Sequence, residues 1–476
     1  MALVAGVDTS TQSTKVLVVD SDSGEVVATG HAGHTVTGTG GVRETDPEVW
    51  WEALRRAFAE TGMAYQVAAV SVAGQQHGLV VLDAAGRPVR PAKLWNDTES
   101  AEDALRLVAD LGGPSWWAEE IGVVPVASFT ATKWAWLRRV EPDAAAATRA
   151  IRLPHDFLTE RLTGSGVTDR GDASGTAWWS TATEAYAPAV LDHPSQRLDP
   201  AMLPEVFGPR QPAGEVTAEA AEFLGLTSGI AVGPGTGDNA GAALGLGLTP
   251  GVPVISLGTS GTAYLSSTIR TVDPSGTVAG FADATGNFLP LACTLNCTLA
   301  VDRIAGWLGL DREAAADHTD VVVLPYLDGE RTPNLPNAAA SVIGLRHTTE
   351  PGEILLAAYR GAVLSLLEAL DVIDAHSSGI EVDAPIILIG GGAQGSTWRR
   401  VIRTLSGRPV QIPAATELVA LGGAVQAAAV LGGEAPETIA RRWNTRRGTL
   451  LEPVGRDVEA VDRIRAVRSL LAELDA

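Results

Sequence analysis

Residues 3–20 read LVAGVDTSTQSTKVLVVD, and this stretch decides the fold. Residues 3–7 and 16–19 are apolar and rich in valine, which suits two short strands around a polar segment, Asp8 to Lys15. Residues 21–24 (SDSG) form a turn cluster and residues 25–29 a third strand, so the chain opens as an antiparallel meander. A helix follows. Asp46 can cap it, Pro47 suits its first turn, and Trp50, Ala53, Leu54, Ala57 and Phe58 share one face at helical spacing. Residues 67–73, VAAVSVA, are nearly all apolar, as in a strand buried on both faces, and run into Gly74-Gln75-Gln76-His77-Gly78. A meander that passes into strand–helix alternation predicts an α/β domain on a mixed sheet.

The second half repeats this opening in weaker form. Residues 254–257 (VISL) are a short strand that breaks into Gly258-Thr259-Ser260-Gly261-Thr262, and residues 263–265 form the strand after it. Two strand–turn–strand copies about 250 residues apart predict two related domains, with chance similarity of short Gly/Thr turns as the competing reading. The boundary is placed so that residues 1–240 form the first domain and 241–476 the second. A charged amphipathic helix from Asp457 is compatible with either, including a return to the first. Gly233-Pro234-Gly235-Thr236-Gly237-Asp238 reads as a flexible hinge or cleft edge. Residues 354–370 hold only two charges, Arg360 and Glu368, and predict a buried helix. Residues 385–389 predict a core strand that ends in Gly390-Gly391-Gly392-Ala393, before a helix containing Trp398.

Composition narrows the function. Lys and Arg total 35 and Asp and Glu 56 in 476 residues, a formal net charge of −21. Such a surface repels phosphate backbones and anionic lipid, so neither nucleic acid nor membrane is an expected partner. An anionic substrate would need a local positive feature. Cys293 and Cys297 are too few to staple a secreted fold and have no nearby His with which to bind zinc. Both are expected as buried structural thiols. The first residues lack the basic start of a signal peptide, and no apolar run reaches the roughly 18 residues of a membrane span, so a soluble cytoplasmic protein is expected.

Several segments carry chemistry. An aspartate at a strand end followed by Thr9, Ser10 and Thr11 suits a magnesium–phosphate complex, with Lys15 as a point charge, although an Asp/Ser/Thr turn uses the same residue types. The Gly258 and Gly390 turns are backbone cradles after strands. Asp238, set among glycines, can serve as a general base or as a helix N-cap. Gln76 and His77 offer neutral donors and acceptors to sugar hydroxyls, with a structural histidine as the plainer reading. Trp95-Asn96-Asp97 adds a ring face and two polar groups. The pairs Trp50-Trp51, Trp116-Trp117 and Trp178-Trp179 read as packing.

Together these segments resemble the FGGY carbohydrate kinases, most nearly the members that act on D-xylulose, from about Val4 to about Leu431. Asp8-Thr9-Ser10-Thr11 through Lys15 resembles the first phosphate motif, D-x-G-T-x-x-x-K/R, with Ser10 where glycine is usual. Gly74-Gln75-Gln76-His77-Gly78 resembles the sugar segment G-Q-M-H-G, with Gln76 in place of methionine. Trp95-Asn96-Asp97, Phe129-Thr130-Ala131-Thr132-Lys133-Trp134 and the run from Leu324 to Pro333 match further segments. Gly235-Thr236-Gly237-Asp238-Asn239 is similar to the stretch bearing the family's base. Leu257-Gly258-Thr259-Ser260-Gly261 is similar to its second phosphate loop, and Gly390-Gly391-Gly392-Ala393 with Ser396 to its adenosine loop. Arg360 departs from the pattern, which has an acidic residue or glutamine there.

The resemblance implies an α/β fold of two duplicated actin-like (ribonuclease H-like) domains, sugar-binding then ATP-binding, with the active site in a cleft between them that closes on the sugar. It implies ATP-dependent phosphorylation of D-xylulose to D-xylulose 5-phosphate, a step that feeds xylose catabolism into the pentose phosphate pathway. Asp238 and Asp8 would be catalytic, Asp8 holding Mg²⁺ through water. Gln76, His77, Asp238 and Asn239 would bind sugar. Thr11, Lys15, Gly258, Thr259, Gly391, Gly392 and Ser396 would bind ATP and its phosphates. Sugar and ATP are the expected partners, with a homodimer as the assembly considered. The alternatives are a family member acting on gluconate, L-ribulose, glycerol or a deoxyketose, an inactive sugar sensor, and an actin- or chaperone-like ATPase. Retention of Asp8 and Asp238 speaks against the sensor, and the His77 segment against the ATPase.

Overall fold

The valine pattern at the start of the chain produces the meander it predicts. Leu3–Thr9 pairs antiparallel with Ser13–Asp20, placing Asp8 opposite Lys15, and Val26–Gly33 adds beyond the second strand. On its other side Leu3–Thr9 pairs parallel with Val67–Gly74, followed by Ala231–Val232 and the antiparallel edge Gly214–Glu215. The computed structural model describes residues 2–474. Both faces of the sheet are covered, which is why its central strands read as unbroken apolar runs. Ala5, Val7, Val16, Val18, Val70 and Val72 form one buried cluster with Trp50, Leu54 and Phe58 of the helix Glu48–Thr61. Asp46 accepts from the Glu48 N–H at 3.0 Å, but Pro47 occupies the cap position, a shift of one residue from the sequence reading. The other face lies under Leu418–Gly432, from the far end of the sequence. A Cβ added to Gly6 would meet the Ala420 carbonyl oxygen at 1.8 Å.

Six strands of the second sheet repeat six of the first in spatial order and direction, although the edge Gly448–Leu451 follows its neighbour in the chain where Gly214–Glu215 precedes its own. Val254–Leu257 pairs antiparallel with Gly261–Tyr264, and the end of Phe288–Thr294 adds beyond it. Ile386–Ile389 lies parallel on the other side, followed by Val410–Pro413 and the antiparallel edge Gly448–Leu451. Order and direction are those of the first sheet, so the weak resemblance of two turns reflects a duplicated topology. The buried helix Pro351–Ala375 makes the connection that Glu48–Thr61 makes in the first copy.

By packing, the chain divides into two units, neither of them contiguous. One contains the residues up to Leu248 with Ile269–Leu289 and Glu417–Thr445, and the other Thr249–Thr268, Pro290–Thr416 and the chain from Arg446. A single cut at 240/241 therefore describes neither unit, and the helix that returns to the first is Leu418–Gly432. The final helix Val458–Leu474 stays with the second. Arg360 fastens it. This buried guanidinium bonds the Thr319 carbonyl (3.2 Å) and Asp457 Oδ2 (2.9 Å), and Asp457 Oδ1 accepts the Ala460 N–H at the helix start.

Two further readings change. Residues 232–237 are buried, and Thr236–Gly237 pairs parallel with Ala73 and Gly74, so the stretch read as a flexible hinge is a fixed strand end. Its glycines serve close approach instead of mobility. Cys297 is buried but Cys293 only half-buried, and neither is in a disulfide. Leu418–Gly432 is apolar because it is packed on the sheet; among the described residues no single helix is long and apolar enough to cross a membrane.

Candidate active site

Three strands of the first unit end in register, with Thr9 beside Gly74 and Gly74 beside Gly237. Ligands of open α/β sheets bind beyond such ends, and the residues with chemistry emerge there: Asp8 on the first strand, Gln76 and His77 after the second, Asp238 and Asn239 after the third. Asp238 is the first residue of the helix Asp238–Gly245, and Gly237 holds the cap position, so the N-cap reading of Asp238 falls. Its Oδ1 accepts the Asn239 backbone N–H (2.7 Å) and side-chain Nδ2 (2.9 Å), and the same Nδ2 lies 3.1 Å from Gln76 Oε1. Gln76, Asn239 and Asp238 are thus one hydrogen-bonded group.

Burial pushes the Asp238 carboxyl up to about 7, with the charge of Asp8 adding to it. Burial likewise raises Asp8 to about 7, against the pull of Lys15 and with help from Glu417. Asp8 is 7% exposed, and its Oδ1 has no hydrogen-bond partner among the described residues. Two carboxyls poised near neutrality at strand ends on either side of Val67–Gly74 are a rare and costly arrangement, of the kind found where protons or cations are handled.

The turn after Asp8 accommodates Ser10 without strain. Its N–H meets the Ser13 carbonyl at 2.9 Å, and it is absent from the residues with positive φ. Thr11 Oγ1 accepts from Trp95 Nε1 at 3.1 Å, which sets that indole, 40% exposed, beside the turn. Asp97 does not join it. It is buried and paired with Lys93 at 3.0 Å, and the cluster of Glu44, Asp97 and Glu99 that could hold a metal already surrounds that ammonium. Lys133 is buried too, its ammonium donating to the Ala127 and Ser128 carbonyls, and burial lowers it to about 7. Lys15 Nζ lies 2.6 Å from Glu417 Oε2. No motif pointed to Glu417, which precedes Leu418–Gly432 and is 402 residues from its partner.

His77 has φ 65, a left-handed conformation uncommon outside glycine. Its Nδ1 lies 2.6 Å from the Gly175 carbonyl oxygen, so Nδ1 carries the proton and Nε2 is the acceptor in the neutral ring. Phe129 and Phe281 pack on it at 4.8 and 5.5 Å between centroids. Beneath these strand ends lies a buried group that the sequence reading passed over: His155 with Asp156, Asp169 and Asp172. Burial opposes charge on His155, but the carboxylates around it, Asp156 foremost, raise it to about 9.

In the second unit Ser256 and Ile389 are neighbours on adjacent parallel strands, so the Gly258-Thr259 and Gly390–Gly392 turns leave the sheet side by side. The Gly258 carbonyl accepts from Thr298 N (3.2 Å) and Oγ1 (2.7 Å), which ties the turn to the start of Thr298–Leu308. Thr259 is exposed. A Cβ on Gly392 would collide with Leu257 and Thr298 at 2.8 Å, whereas one on Gly391 would meet nothing within 4 Å, so Gly391 offers open backbone. Ser396 Oγ is taken by Glu313 Oε2 at 2.5 Å. The candidate residues thus gather into two groups: Asp8, Thr11, Lys15, Gln76, His77, Asp238 and Asn239 in the first unit, and Gly258, Thr259, Gly391, Gly392 and Ser396 in the second.

Residues 3–245 match the N-terminal domain model of the FGGY family of carbohydrate kinases, and residues 254–431 its C-terminal domain model. The chain is 61% identical over 475 residues to a xylulose kinase of Streptomyces coelicolor, covering 99% of this chain and 97% of that protein. It is 59% identical over 473 residues to one of Streptomyces rubiginosus, with the same coverage. A solved xylulose kinase from Bifidobacterium adolescentis aligns with a TM-score of 0.85 at 37% identity, over 98% of this chain and 99% of that one. With both domain models matched in order along the duplicated sheets, the chain belongs to the FGGY family of carbohydrate kinases.

Proposed function

We propose that this kinase transfers the γ-phosphoryl group of ATP to the terminal hydroxyl of D-xylulose, giving D-xylulose 5-phosphate and ADP. The observation that carries the reading is Asp238: a carboxyl held near neutrality, hydrogen-bonded into one group with Asn239 and Gln76. It accepts the proton of the sugar hydroxyl as that oxygen bonds to the γ-phosphorus and the bond from phosphorus to the departing ADP oxygen breaks. His77 Nε2 accepts from a second sugar hydroxyl, and Gln76 and Asn239 fix the group around the base. The near-full-length xylulose kinase relatives support this choice of sugar.

Asp8 suits Mg²⁺: its Oδ1 is a hard oxygen, buried and without a hydrogen-bond partner among the described residues, beside a turn of hydroxyls. When bound there, the cation would neutralise charge developing on the phosphates. The turns at Gly258-Thr259 and Gly391-Gly392 of the second unit present backbone amides to the nucleotide, with Gly391 open to the adenosine. The use of ATP supports a cytoplasmic location for the reaction.

The test joins a sugar panel to one variant. ADP release with D-xylulose should exceed that with gluconate, L-ribulose, glycerol and deoxyketoses. Asp238→Asn keeps size and hydrogen bonding but removes the proton acceptor, so turnover should fall roughly 10²–10⁴-fold while sugar affinity changes little. Near-normal turnover would eliminate Asp238 as the base.

A further inference from the structure

The buried group beneath the strand ends has no part in proton or phosphoryl transfer as described. His155 is fully buried, with Nδ1 2.7 Å from Asp172 Oδ2 and Nε2 3.1 Å from Asp156 Oδ1 and 3.9 Å from Asp169 Oδ1. An apolar side chain of similar volume would fill this space without burying charge, so packing alone does not account for it.

Contacts lead from His155 to both substrate-facing elements. On one side, a Cβ on Gly235 would lie 2.3 Å from His155 Cδ2, and Gly235 has φ 81, which only glycine adopts readily. The next residue, Thr236, has its Oγ1 3.2 Å from Asp169 Oδ2, and two residues later the chain reaches Asp238. On the other side, the Asp172 carbonyl accepts the Gly175 N–H at 3.0 Å, and the Gly175 carbonyl receives His77 Nδ1 at 2.6 Å. A Cβ on Gly74, between these elements, would lie 3.1 Å from His155 Cβ. One imidazole therefore underlies both strand ends.

We propose that His155 is a positioning residue: its bond to Asp172 fixes the Gly175 carbonyl that orients His77, and its ring edge against Gly235 fixes the turn that delivers Asp238. The inference rests on Asp238 being the base.

Asparagine places an amide N–H about where Nδ1 of histidine stands, so His155→Asn keeps the Asp172 bond and withdraws the ring edge from Gly235. In the full chain at saturating ATP, kcat should fall about 10- to 100-fold, because small displacements of a reacting group are costly. KM for D-xylulose should stay within about three-fold, since the path to His77 is kept. His155→Leu, which cannot make the Asp172 bond, should lower kcat and raise KM together. ADP affinity without sugar should be unchanged in both. Wild-type kcat in a folded His155→Asn overturns the proposal, as does a loss of kcat, sugar affinity and ADP affinity in parallel, which marks a merely structural residue. If His155→Asn does not fold, His155→Gln, which also withdraws the ring edge from Gly235, should show the same fall in kcat, and unchanged kcat there overturns the proposal equally. An active Asp238→Asn would instead remove the reading beneath, whereas an inactive Asp238→Asn beside a fully active His155→Asn removes only this inference.

Discussion

A histidine held at φ 65 stores strain on the order of 1 kcal/mol, which persists only where its surroundings enforce it. The Gly175 carbonyl and the two phenylalanines supply that enforcement, and they aim the ring beyond the strand ends. The plainer reading of His77 as a structural residue has a sharp test. Asparagine tolerates the left-handed conformation and keeps an N–H for Gly175, but has no counterpart of Nε2. His77→Asn should weaken D-xylulose binding by about 1–3 kcal/mol, the usual cost of stranding a hydrogen-bonding partner. ADP affinity in the absence of sugar, measured calorimetrically, should not move, and equal losses for both ligands would make His77 structural. The same scale shows where sequence stops. Ser10 and Gln76 depart from the family pattern yet fit: the turn at Ser10 needs no positive φ, and Gln76 Oε1 meets Asn239 at 3.1 Å.

The hairpins and their turns are legible in the sequence because their signals are local: valine runs, then Gly, Ser and Thr. The helix Leu418–Gly432 is not among the elements read from the sequence, and nothing local says that it lies on the first sheet. Its position is written in small residues spread along the chain. A Cβ on Gly422 would lie 2.0 Å from the Gly241 carbonyl oxygen, and one on Gly245 2.0 Å from that of Leu418. These glycines serve close packing, as do those of the stretch Gly233–Asp238 that the sequence suggests as a flexible hinge or cleft edge. For the same reason Glu417 and His155 escaped notice, since each acquires meaning only from partners distant in sequence. Asp238–Gly245 carries the candidate base at its first residue, so its seat on Leu418–Gly432 bears on activity as well as stability. Gly422→Ala should lower the unfolding free energy by at least about 1–3 kcal/mol, the cost of overpacking against backbone that cannot give way. Gly391→Ala, in open space, should leave the unfolding midpoint unchanged and weaken ADP binding instead. Urea titration of both variants checks the contrast, and equal midpoints would show that the helix contact yields.

At the scale of the molecule the candidate site concentrates a charge that the chain already has in excess. Within the net charge of −21, Asp8 and Glu417 lie beside Lys15 and Asp238 belongs to the same candidate site, and burial holds the two aspartates near 7. Such a carboxyl binds its proton more tightly folded than unfolded, where its pKa is about 3.9. Below the unfolded value both states are protonated and folding carries no penalty. As pH rises towards 7 the unfolded chain ionises first, and the folded state loses a few kcal/mol in all, at about 1.4 kcal/mol per pH unit. An amide at 238 does not titrate, and it also relieves Asp8 of a neighbouring charge. Asp238→Asn should therefore melt above the wild type at pH 8, with the advantage shrinking through pH 6 and vanishing near pH 4. Mg²⁺ should raise the wild-type midpoint more at pH 8 than at pH 5, because only ionised carboxylates attract it. A stability difference independent of pH, or one favouring the wild type at pH 8, would mean that the two aspartates are not mutually repelling anions, and their joint candidacy for proton and cation handling would fall with it.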